Sequence, residues 1–379
     1  MSRYPLLAVL PAITTDSEVV FPLYNSQAIS ECGATNSMVI DWKKEAILSD
    51  ITVAFESNQH TMPKDDPQVV MLTGCSGLLG RHLLNALAMQ PSILKIICVA
   101  VRHLSDRLKN GQLPPPSGRI IYYSGDLTEP RFGLDEREWA TIFDELDLVI
   151  HNGAETSHIK HYSALQGTNV DSTKQLVRSC LSRMVPIHYI STASMSTAVG
   201  LDISSAKSCT GVGWAPPVDG ALGYLSTKWV CEAMLERVHA MYRLPIVIQR
   251  PSAIIREGAD TRSEMFQYDL HNQLLHYSHI TQKVPRIEHR TYLFDFVSVE
   301  TCCRDLIRNL RASKSNREGI LYVNSVSDKV LPAAEMGSIG LEKEGKIYEA
   351  VSVEEWVQDA VSAGMHSAMA ALVLCSLIS

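Results

Sequence analysis

A tyrosine and a lysine four positions apart, with a threonine upstream, are the residues of this chain best suited to chemistry. In residues 223–228 (GYLSTK) the spacing places the Tyr224 phenol and the Lys228 ammonium on one face of a helix. A phenol with an ordinary pKa of about 10 is a poor acid at neutral pH, but a neighbouring ammonium is expected to lower that pKa. Thr192 is placed to hydrogen-bond the carbonyl oxygen that Tyr224 would protonate. The trio predicts proton donation to a carbonyl whose carbon receives a hydride from a nicotinamide.

A glycine-rich turn stands where a short apolar run gives way to helical periodicity. Residues 69–72 (VVML) are continuously apolar, as in a buried parallel strand, and leucines recur at helical spacing from residue 78. Gly74, Gly77 and Gly80 form the pattern G-x-x-G-x-x-G between them. Such a turn is tight and brings backbone amides close to a pyrophosphate, so we expect no side chain to fit at these three positions. From the motif alone, a turn that binds nothing is the alternative. The residues predicted to form this part of a dinucleotide site are Thr73, Gly74, Ser76, Gly77, Leu78, Leu79, Gly80 and Arg81.

The second apolar run ends in an arginine, where NAD-specific folds usually place an acidic residue. Residues 96–101 (IICVAV) are followed by Arg102, and Arg81 follows the last glycine of the turn. A carboxylate at the strand end would bind the ribose 2′-hydroxyl, whereas an arginine can pair with the 2′-phosphate of NADP. We therefore predict NADPH as the cofactor, with solvated surface charges as the alternative for both arginines.

Small and polar residues follow the later strands at positions that would also line such a cofactor. Asp126 can accept from the adenine amine, residues 152–154 let the backbone lie along a ribose, and Ser252 can contact the nicotinamide amide. Asn169 is a polar residue within a predicted helix, where we expect the next strand to contact it. For most of these positions a plain turn is the alternative. The further predicted cofactor residues are Arg102, Asp126, Leu127, Asn152, Gly153, Ala154, Asn169, Tyr224, Lys228, Pro251 and Ser252.

Alternating strands and helices position these residues. Apolar and β-branched runs alternate with amphipathic stretches, which predicts an α/β fold with a Rossmann-type doubly wound parallel sheet. After residue 256 the alternation stops, and residues 257–291 are polar, helical in pattern and contain three histidines that do not share a helical face, so no metal site is predicted. The predicted strands are residues 69–72, 96–101, 119–124, 147–151, 187–192, 244–249 and 319–323.

The same patterns divide the chain into three parts. Residues 1–66 are predicted to be a lead-in and linker, with one short helix in residues 41–51 that packs on the main domain. Residues 67–256, completed by 292–326, are predicted to form the NADP-binding domain. Residues 257–291 and 327–379 are predicted to form a smaller, mostly helical substrate-binding lobe.

Composition narrows the class of protein. The 379 residues are 46% hydrophobic and 20% charged with a net charge of -7, and no basic stripe favours nucleic acid. The nine cysteines form no C-x-x-C pair, which fits a reduced, cytoplasmic compartment. No run of about 18 apolar residues predicts a membrane span. The first residues faintly resemble a signal peptide, but two prolines interrupt them and no A-x-A site follows.

Taken in order, these motifs resemble the extended short-chain dehydrogenases of the thioester reductase type. The likeness is greatest to the terminal reductase domains of fungal hybrid polyketide synthase–nonribosomal peptide synthetases, and it covers roughly residues 40–379. Cys75 departs from the alanine common in the family. The motifs are T-G-x-x-G-x-x-G-R (73–81), V-R (101–102), G-D-L (125–127), H-N-G-A (151–154), N-V (169–170), I-S-T-A-S (190–194), G-Y-x-x-x-K-W (223–229) and R-P-S (250–252).

The resemblance implies a function in releasing an acyl chain from a carrier protein. Such domains receive an acyl or peptidyl chain as a thioester on a phosphopantetheine arm and release it with NADPH as an aldehyde or alcohol. By position, Thr192, Tyr224 and Lys228 match the catalytic trio, and Lys228 also matches the residue that binds the nicotinamide ribose. No carrier attachment motif is present, so the carrier is expected in trans or in a longer parent chain.

Two other functions share these motifs. Some fungal relatives release their product by a non-redox Dieckmann-type cyclisation. An extended dehydrogenase acting on a free carbonyl compound would differ only in the substrate lobe.

Overall fold

A computed structural model describes residues 39–49, 66–158, 160–211, 213–255, 270–287, 293–310, 319–327, 330–338 and 345–377. The described chain divides into two compact units. The larger comprises residues 39–256 and 296–328, and the smaller comprises 257–295 and 329–379. Residues 39–49 therefore belong to the larger unit, which agrees with the prediction that a short helix within the lead-in packs on the main domain.

Twelve strands occur in the described part of the chain. They are β1 (Val69–Thr73), β2 (Lys95–Val101), β3 (Ile120–Ser124), β4 (Leu148–His151), β5 (Ile187–Ile190), β6 (Ile246–Pro251), β7 (Ala253–Ile255), β8 (Lys283–Pro285), β9 (Leu293–Ser298), β10 (Leu321–Ser325), β11 (Val330–Pro332) and β12 (Glu349–Val351).

The same residues contain twelve α-helices. They are α1 (Trp42–Glu45), α2 (Leu78–Ala88), α3 (Leu104–Lys109), α4 (Glu136–Glu145), α5 (Tyr162–Gln166), α6 (Ser172–Leu181), α7 (Ser194–Ala198), α8 (Gly223–Tyr242), α9 (Leu270–Thr281), α10 (Val299–Arg308), α11 (Val353–Ser362) and α12 (Ser367–Leu377). One turn of π-helix (Gly167–Asp171), here called the π-turn, joins α5 to α6. Two segments are 3₁₀ turns, Pro130–Gly133 and Ala333–Ser338.

The larger unit is built on a seven-stranded sheet in the order β3-β2-β1-β4-β5-β6-β10, and each neighbouring pair is parallel. The predicted Rossmann-type sheet and its seven strands are thus confirmed. The strand order reverses between β1 and β4, and this is where α/β sheets bind ligands at the carboxyl ends of their strands. Thr73 pairs with His151 at that edge, which brings the glycine turn beside the loop after β4.

Two apolar clusters cover the two faces of this sheet. Along β1, Met71 joins one cluster while Val70 and Leu72 join the other, because successive side chains of a strand point to opposite faces. The first cluster takes in α4, α6 and α8, and the second takes in α2 and α10. The sheet is therefore covered on both sides, which agrees with the continuous apolar runs of its strands.

Three predicted boundaries differ from the structure. The sequence predicts one helix over residues 162–181, but the π-turn interrupts it, and there the hydroxyls of Ser172 and Thr173 donate to the carbonyls of Thr168 and Asn169. Helix α8 begins at Gly223 and carries both Tyr224 and Lys228, as their spacing predicts. Strand β5 ends two residues before Thr192, and β6 continues through Pro251.

The smaller unit combines helices with short strands. Its strands β8 and β12 pair in parallel, and the indole of Trp356 in α11 donates to Ser278 and to the carbonyl of Lys283. Ser352 caps α11 as predicted, with its hydroxyl accepting from the Glu355 amide. The expected helical stretch over residues 257–291 is described only from residue 270, where a helix is followed by β8; the rest of that prediction lies outside the described residues. None of the helices that the structure describes is long and apolar enough to cross a membrane.

Candidate active site

Two of the three turn glycines are required by the protein itself. Gly74 has φ +67°, and a Cβ built on it would lie 2.6 Å from the Cα of Gly153. A Cβ on Gly80 would lie 1.9 Å from the carbonyl oxygen of Gly74. The turn after β1, the first turn of α2 and the loop after β4 therefore approach one another too closely for any side chain.

Gly77 differs from the other two. A Cβ built there would meet only the Gly74 carbonyl oxygen, at an ordinary 3.4 Å, so the protein itself leaves room for a side chain. The expected need for glycine at this position rests on the close approach of a pyrophosphate. Gly77 is the N-cap of the eleven-residue helix α2, and no side chain caps that end. The bare helix N-terminus and the open space beside Gly77 are the features that a pyrophosphate requires, so these residues fit a dinucleotide.

The remaining predicted turn residues divide by burial. Leu79 is buried in the apolar cluster below the sheet, so its side chain packs rather than lines a site. Ser76, Leu78 and Arg81 are partly exposed, and the Arg81 amide continues the helix by donating to the Gly77 carbonyl. A ligand at this turn would thus meet the Leu79 backbone but not its side chain.

A buried hydrogen-bond chain ties the glycine turn to the π-turn. The Gly153 amide donates to the Thr73 hydroxyl, which lies 2.8 Å from Nδ1 of His151, and Nε2 of His151 lies 3.0 Å from the Thr173 hydroxyl. The Thr173 hydroxyl in turn donates to the carbonyl of Asn169. Burial lowers the pKa of His151 to about 3, so its imidazole is neutral. The side chain of Thr73 is fully buried and acts by holding these segments together.

The loop after β4 packs directly on the glycine turn. The side-chain amide of Asn152 donates to the Gly74 carbonyl. A Cβ on Gly153 would lie 2.9 Å from the Leu127 side chain, so Leu127 covers this loop. Ala154 follows, partly exposed. The predicted residues of the β3 and β4 loops are therefore adjacent to the turn.

Charged residues meet at the ends of β2 and β3. The Arg102 guanidinium lies 3.8 Å from the Asp126 carboxylate and is 69% exposed. Asp126 also accepts from the amide and hydroxyl of Thr128, and these bonds lower the pKa of its carboxyl. Arg107, which the sequence analysis missed, donates from Nε to the Arg102 carbonyl. Arginines 102 and 107 thus form a positive cluster at the predicted ribose end.

Cys75 of the glycine turn lies near Arg107 of the positive cluster. A hydrogen bond with the Cys98 thiol lowers the pKa of Cys75, and the nearby Arg107 charge lowers it further. Both thiols are buried. Cys75, the departure from the family pattern, therefore packs under the turn against β2.

The structure brings Tyr224 and Lys228 together but corrects their expected electrostatics. The Lys228 ammonium lies 5.6 Å from the Tyr224 ring centroid and 4.8 Å from that of Tyr189, and it donates to the Ile190 carbonyl at 2.7 Å. Burial lowers the pKa of Lys228 to about 8. The prediction of a lowered phenol pKa is wrong here, because burial raises the pKa of Tyr224 and the ammonium faces a carbonyl and two ring faces.

Thr192 lies just beyond β5, next to the end of β6. The Thr192 hydroxyl lies 3.3 Å from the Ser194 hydroxyl and accepts from the Ser194 amide, and the Ala193 amide donates to the Pro251 carbonyl. The Ser252 amide donates to the Ser325 carbonyl of β10. Thr192, Pro251 and Ser252 therefore lie at the same edge of the sheet.

His158 is a second residue that the sequence analysis missed. Its ring lies 5.1 Å from that of Tyr224, edge to face, on the loop that also carries residues 152–154. The two rings meet because the loop after β4 packs against α8 in the folded protein. No spacing of residues in the sequence indicates this contact.

Asn169 does not contact the next strand, contrary to expectation. Its side chain accepts from the Glu155 amide and donates to the Glu155 carbonyl and the Thr227 hydroxyl. The π-turn aims the side chain sideways at α8, and such turns are frequent at functional sites. Asn169 therefore joins the β4 loop to the turn of helix that carries Lys228.

A fully buried ion pair lies beneath this edge. Arg250 donates from Nε and Nη2 to the two carboxylate oxygens of Glu232, at 2.9 and 2.5 Å. Ser191 donates to the same carboxylate, and the third Arg250 bond goes to the Lys207 carbonyl. The pair fixes β6 to α8 and is bonded to Ser191, the residue before Thr192. Among the described residues no group of three or more His, Cys, Asp or Glu side chains could hold a metal ion.

Residues 72–306 match the profile of an NAD-binding family described as male sterility protein. The chain is 54% identical over 338 residues to a highly reducing polyketide synthase of Neocamarosporium betae (bet1), covering 89% of this chain and 12% of that protein. It is 34% identical over 366 residues to a polyketide synthase-nonribosomal peptide synthetase of Phaeosphaeria nodorum (phmA), covering 95% of this chain and 9% of that protein. The chain thus spans a small fraction of these relatives' length.

Solved structures show the same fold. The terminal R domain of the myxalamid PKS-NRPS pathway superposes with a TM-score of 0.65 at 22% identity, covering 88% of this chain and 84% of that one. An archaeal thiolation-reductase di-domain gives 0.60 at 16% identity, covering 93% and 73%.

Proposed function

This chain belongs to the NAD-binding family described as male sterility protein, and from that premise we propose that it is an NADPH-dependent reductase that releases an acyl chain from a carrier-protein thioester as an aldehyde or alcohol. The observation that carries the proposal is the convergence of Tyr224, Lys228 and Thr192 on the sheet edge that holds the glycine turn.

The chain's own residues have distinct parts in this chemistry. A bound NADPH would supply the hydride. Thr192 hydrogen-bonds the thioester carbonyl oxygen, and Tyr224 protonates that oxygen as its carbon is reduced. Departure of the carrier thiol then leaves the aldehyde. Lys228, anchored by the Ile190 carbonyl, keeps a positive charge beside the phenol as the proton leaves.

A carrier protein is the proposed partner. Relatives that contain a matching segment are large polyketide synthases, and one structural neighbour is a thiolation-reductase di-domain. These likenesses support a phosphopantetheine-bound acyl chain, presented in trans or within a longer parent chain.

The test compares three reactions of the purified chain. An acyl-pantetheine thioester with NADPH should lose the near-ultraviolet absorbance of the reduced nicotinamide, and mass spectrometry should detect the aldehyde or alcohol. Reaction with a free aldehyde or ketone but not with the thioester would instead indicate a dehydrogenase of free carbonyls. Product formed equally well without NADPH would indicate Dieckmann-type cyclisation.

Preference for NADPH should depend on Arg102. The Arg102 guanidinium is 69% exposed, and a charge-assisted bond from it to the 2′-phosphate would contribute on the order of 1.5 to 3 kcal/mol. Arg102→Ala should therefore weaken NADPH binding roughly tenfold or more and leave NADH binding nearly unchanged, as measured by fluorescence titration.

The matched control is Lys109→Ala, an exposed cation in the adjacent helix α3. It should leave the affinities for both cofactors near those of the parent. An equal loss of NADPH and NADH affinity in Arg102→Ala would show that Arg102 is not the phosphate partner.

A further inference from the structure

Residues 39–49, here called the N-terminal strap, are bound into the larger unit through a buried tryptophan. The Trp42 indole is 5% exposed, donates to the Pro216 carbonyl at 2.7 Å, and packs edge-on against the Tyr162 ring at 4.9 Å. The Ile40 amide donates to the Val218 carbonyl at 2.9 Å. The strap thus holds the loop of residues 216–223, which ends where α8 begins.

A carboxylate and two arginines secure the rest of the strap. Glu45 accepts from the Tyr162 hydroxyl at 2.7 Å and from the Gln166 side-chain amide at 3.0 Å. Arg237 of α8 donates to the Lys43 carbonyl, and Arg178 of α6 donates to that of Ser49. A four-residue helix has little stability alone, so these long-range bonds hold it in place.

The loop of residues 216–223 also packs against the residues at the start of α5. The Tyr162 amide donates to the Gly220 carbonyl at 3.0 Å. A Cβ on Gly220 would lie 2.8 Å from Ile40 and 2.6 Å from the His161 ring, and one on Gly223 would lie 2.1 Å from the Lys160 carbonyl. The loop is thus clamped between the strap and the start of α5, and Tyr224 is the next residue.

The strap is also connected to α8 through the π-turn. Glu45 holds Gln166, the residue directly before that turn, and Asn169 within the turn donates to the Thr227 hydroxyl of α8. The strap therefore contacts the loop of residues 216–223, which leads into α8. It also contacts Gln166, the residue before the π-turn that bonds to Thr227 of α8.

Resting on the proposed function, we propose that Trp42 and Glu45 are positioning residues that set the place of the Tyr224 phenol through the loop of residues 216–223 and the π-turn. The glycine turn makes no contact with the strap among the hydrogen bonds between described residues. Lys228, which the family resemblance assigns to the nicotinamide ribose, keeps its own bond to the Ile190 carbonyl of β5. The strap should therefore affect the chemical step far more than it affects cofactor binding. A strap that merely adds core packing would affect stability alone.

The experiment uses Trp42→Phe, which keeps a ring beside Tyr162 but loses the bond to Pro216, and Glu45→Gln, in the full chain. Lys43→Ala, an exposed residue of the same helix, is the control. Hydrogen–deuterium exchange of residues 216–228 should rise in both strap variants and not in the control. Turnover should fall on the order of tenfold while the NADPH dissociation constant changes far less, because small displacements of reacting groups are costly.

Unchanged exchange over residues 216–228, or variants that melt earlier yet turn over at the parent rate per folded molecule, would overturn the positioning role. The exchange measurement needs no substrate. An inactive parent whose strap variants still show raised exchange at residues 216–228 would therefore contradict the proposed function and leave the coupling of the strap to α8 standing.

Discussion

Turnover of the Tyr224→Phe variant is expected to fall by about 10²- to 10⁴-fold, with NADPH affinity nearly intact. The change removes one hydroxyl and keeps the ring that packs against His158 and lies under the Lys228 ammonium. A positioned acid is lost while the cofactor contacts remain, so the turnover number falls and the dissociation constant does not. Single-turnover kinetics and fluorescence titration measure the two quantities.

Lys228→Ala is the comparison that separates the roles of the pair. If Lys228 both supports the phenol and binds the nicotinamide ribose, its loss should reduce turnover and cofactor affinity together. A Tyr224→Phe protein that melts earlier but reduces thioester at the parent rate would contradict the catalytic assignment. Tyr224 would then be a packing residue, and Dieckmann-type cyclisation would account better for the chain.

Arg250→Met should destabilise the protein by about 3–5 kcal/mol, because it leaves the Glu232 carboxylate buried without its counter-ion. Both side chains are fully buried, and two hydrogen bonds join them. The one remaining side-chain donor to Glu232 would be Ser191, among the hydrogen bonds of the described residues. Chemical denaturation followed by tryptophan fluorescence measures the change in the free energy of unfolding.

The double variant Arg250→Met/Glu232→Leu tests the cause. Replacing both ions of a buried pair by apolar residues is often nearly neutral, so much of the lost stability should return. Arg137→Met, on the exposed face of α4, is the control for removing an arginine and should change stability little. An Arg250→Met variant as stable as the parent would show that the pair contributes no net stability.

The sheet and the turn were predictable because their signals are local. Continuous apolar runs of four to six residues predicted the strands of the sheet, and the G-x-x-G-x-x-G spacing predicted a strand, a tight turn and a helix. Predicted strand ends agree with the structure to within about two residues, and the largest differences include the end of β6, which continues through Pro251.

Contacts between segments far apart in the chain were not predictable in this way. The sequence predicts that a short helix in residues 41–51 packs on the main domain, but nothing in residues 39–49 indicates that Trp42 meets Pro216, 174 positions away. The sequence predicts a contact between Asn169 and the next strand, whereas the side chain within the π-turn bonds to Glu155 and Thr227. His158 and Arg107 carried no motif at all.

The sequence by itself determined the positions of the strands along the chain, the glycine turn and the presence of Tyr224 and Lys228 on one helix, because backbone period and residue spacing act over a few neighbouring positions. Only the tertiary structure decided what surrounds these groups. Burial raises the pKa of Tyr224 where the spacing alone predicts a fall in that pKa. The Lys228 ammonium on α8 donates to the Ile190 carbonyl at the end of β5. Desolvation and long-range hydrogen bonds depend on which distant segments pack together, so the electrostatics of the site follow from the fold.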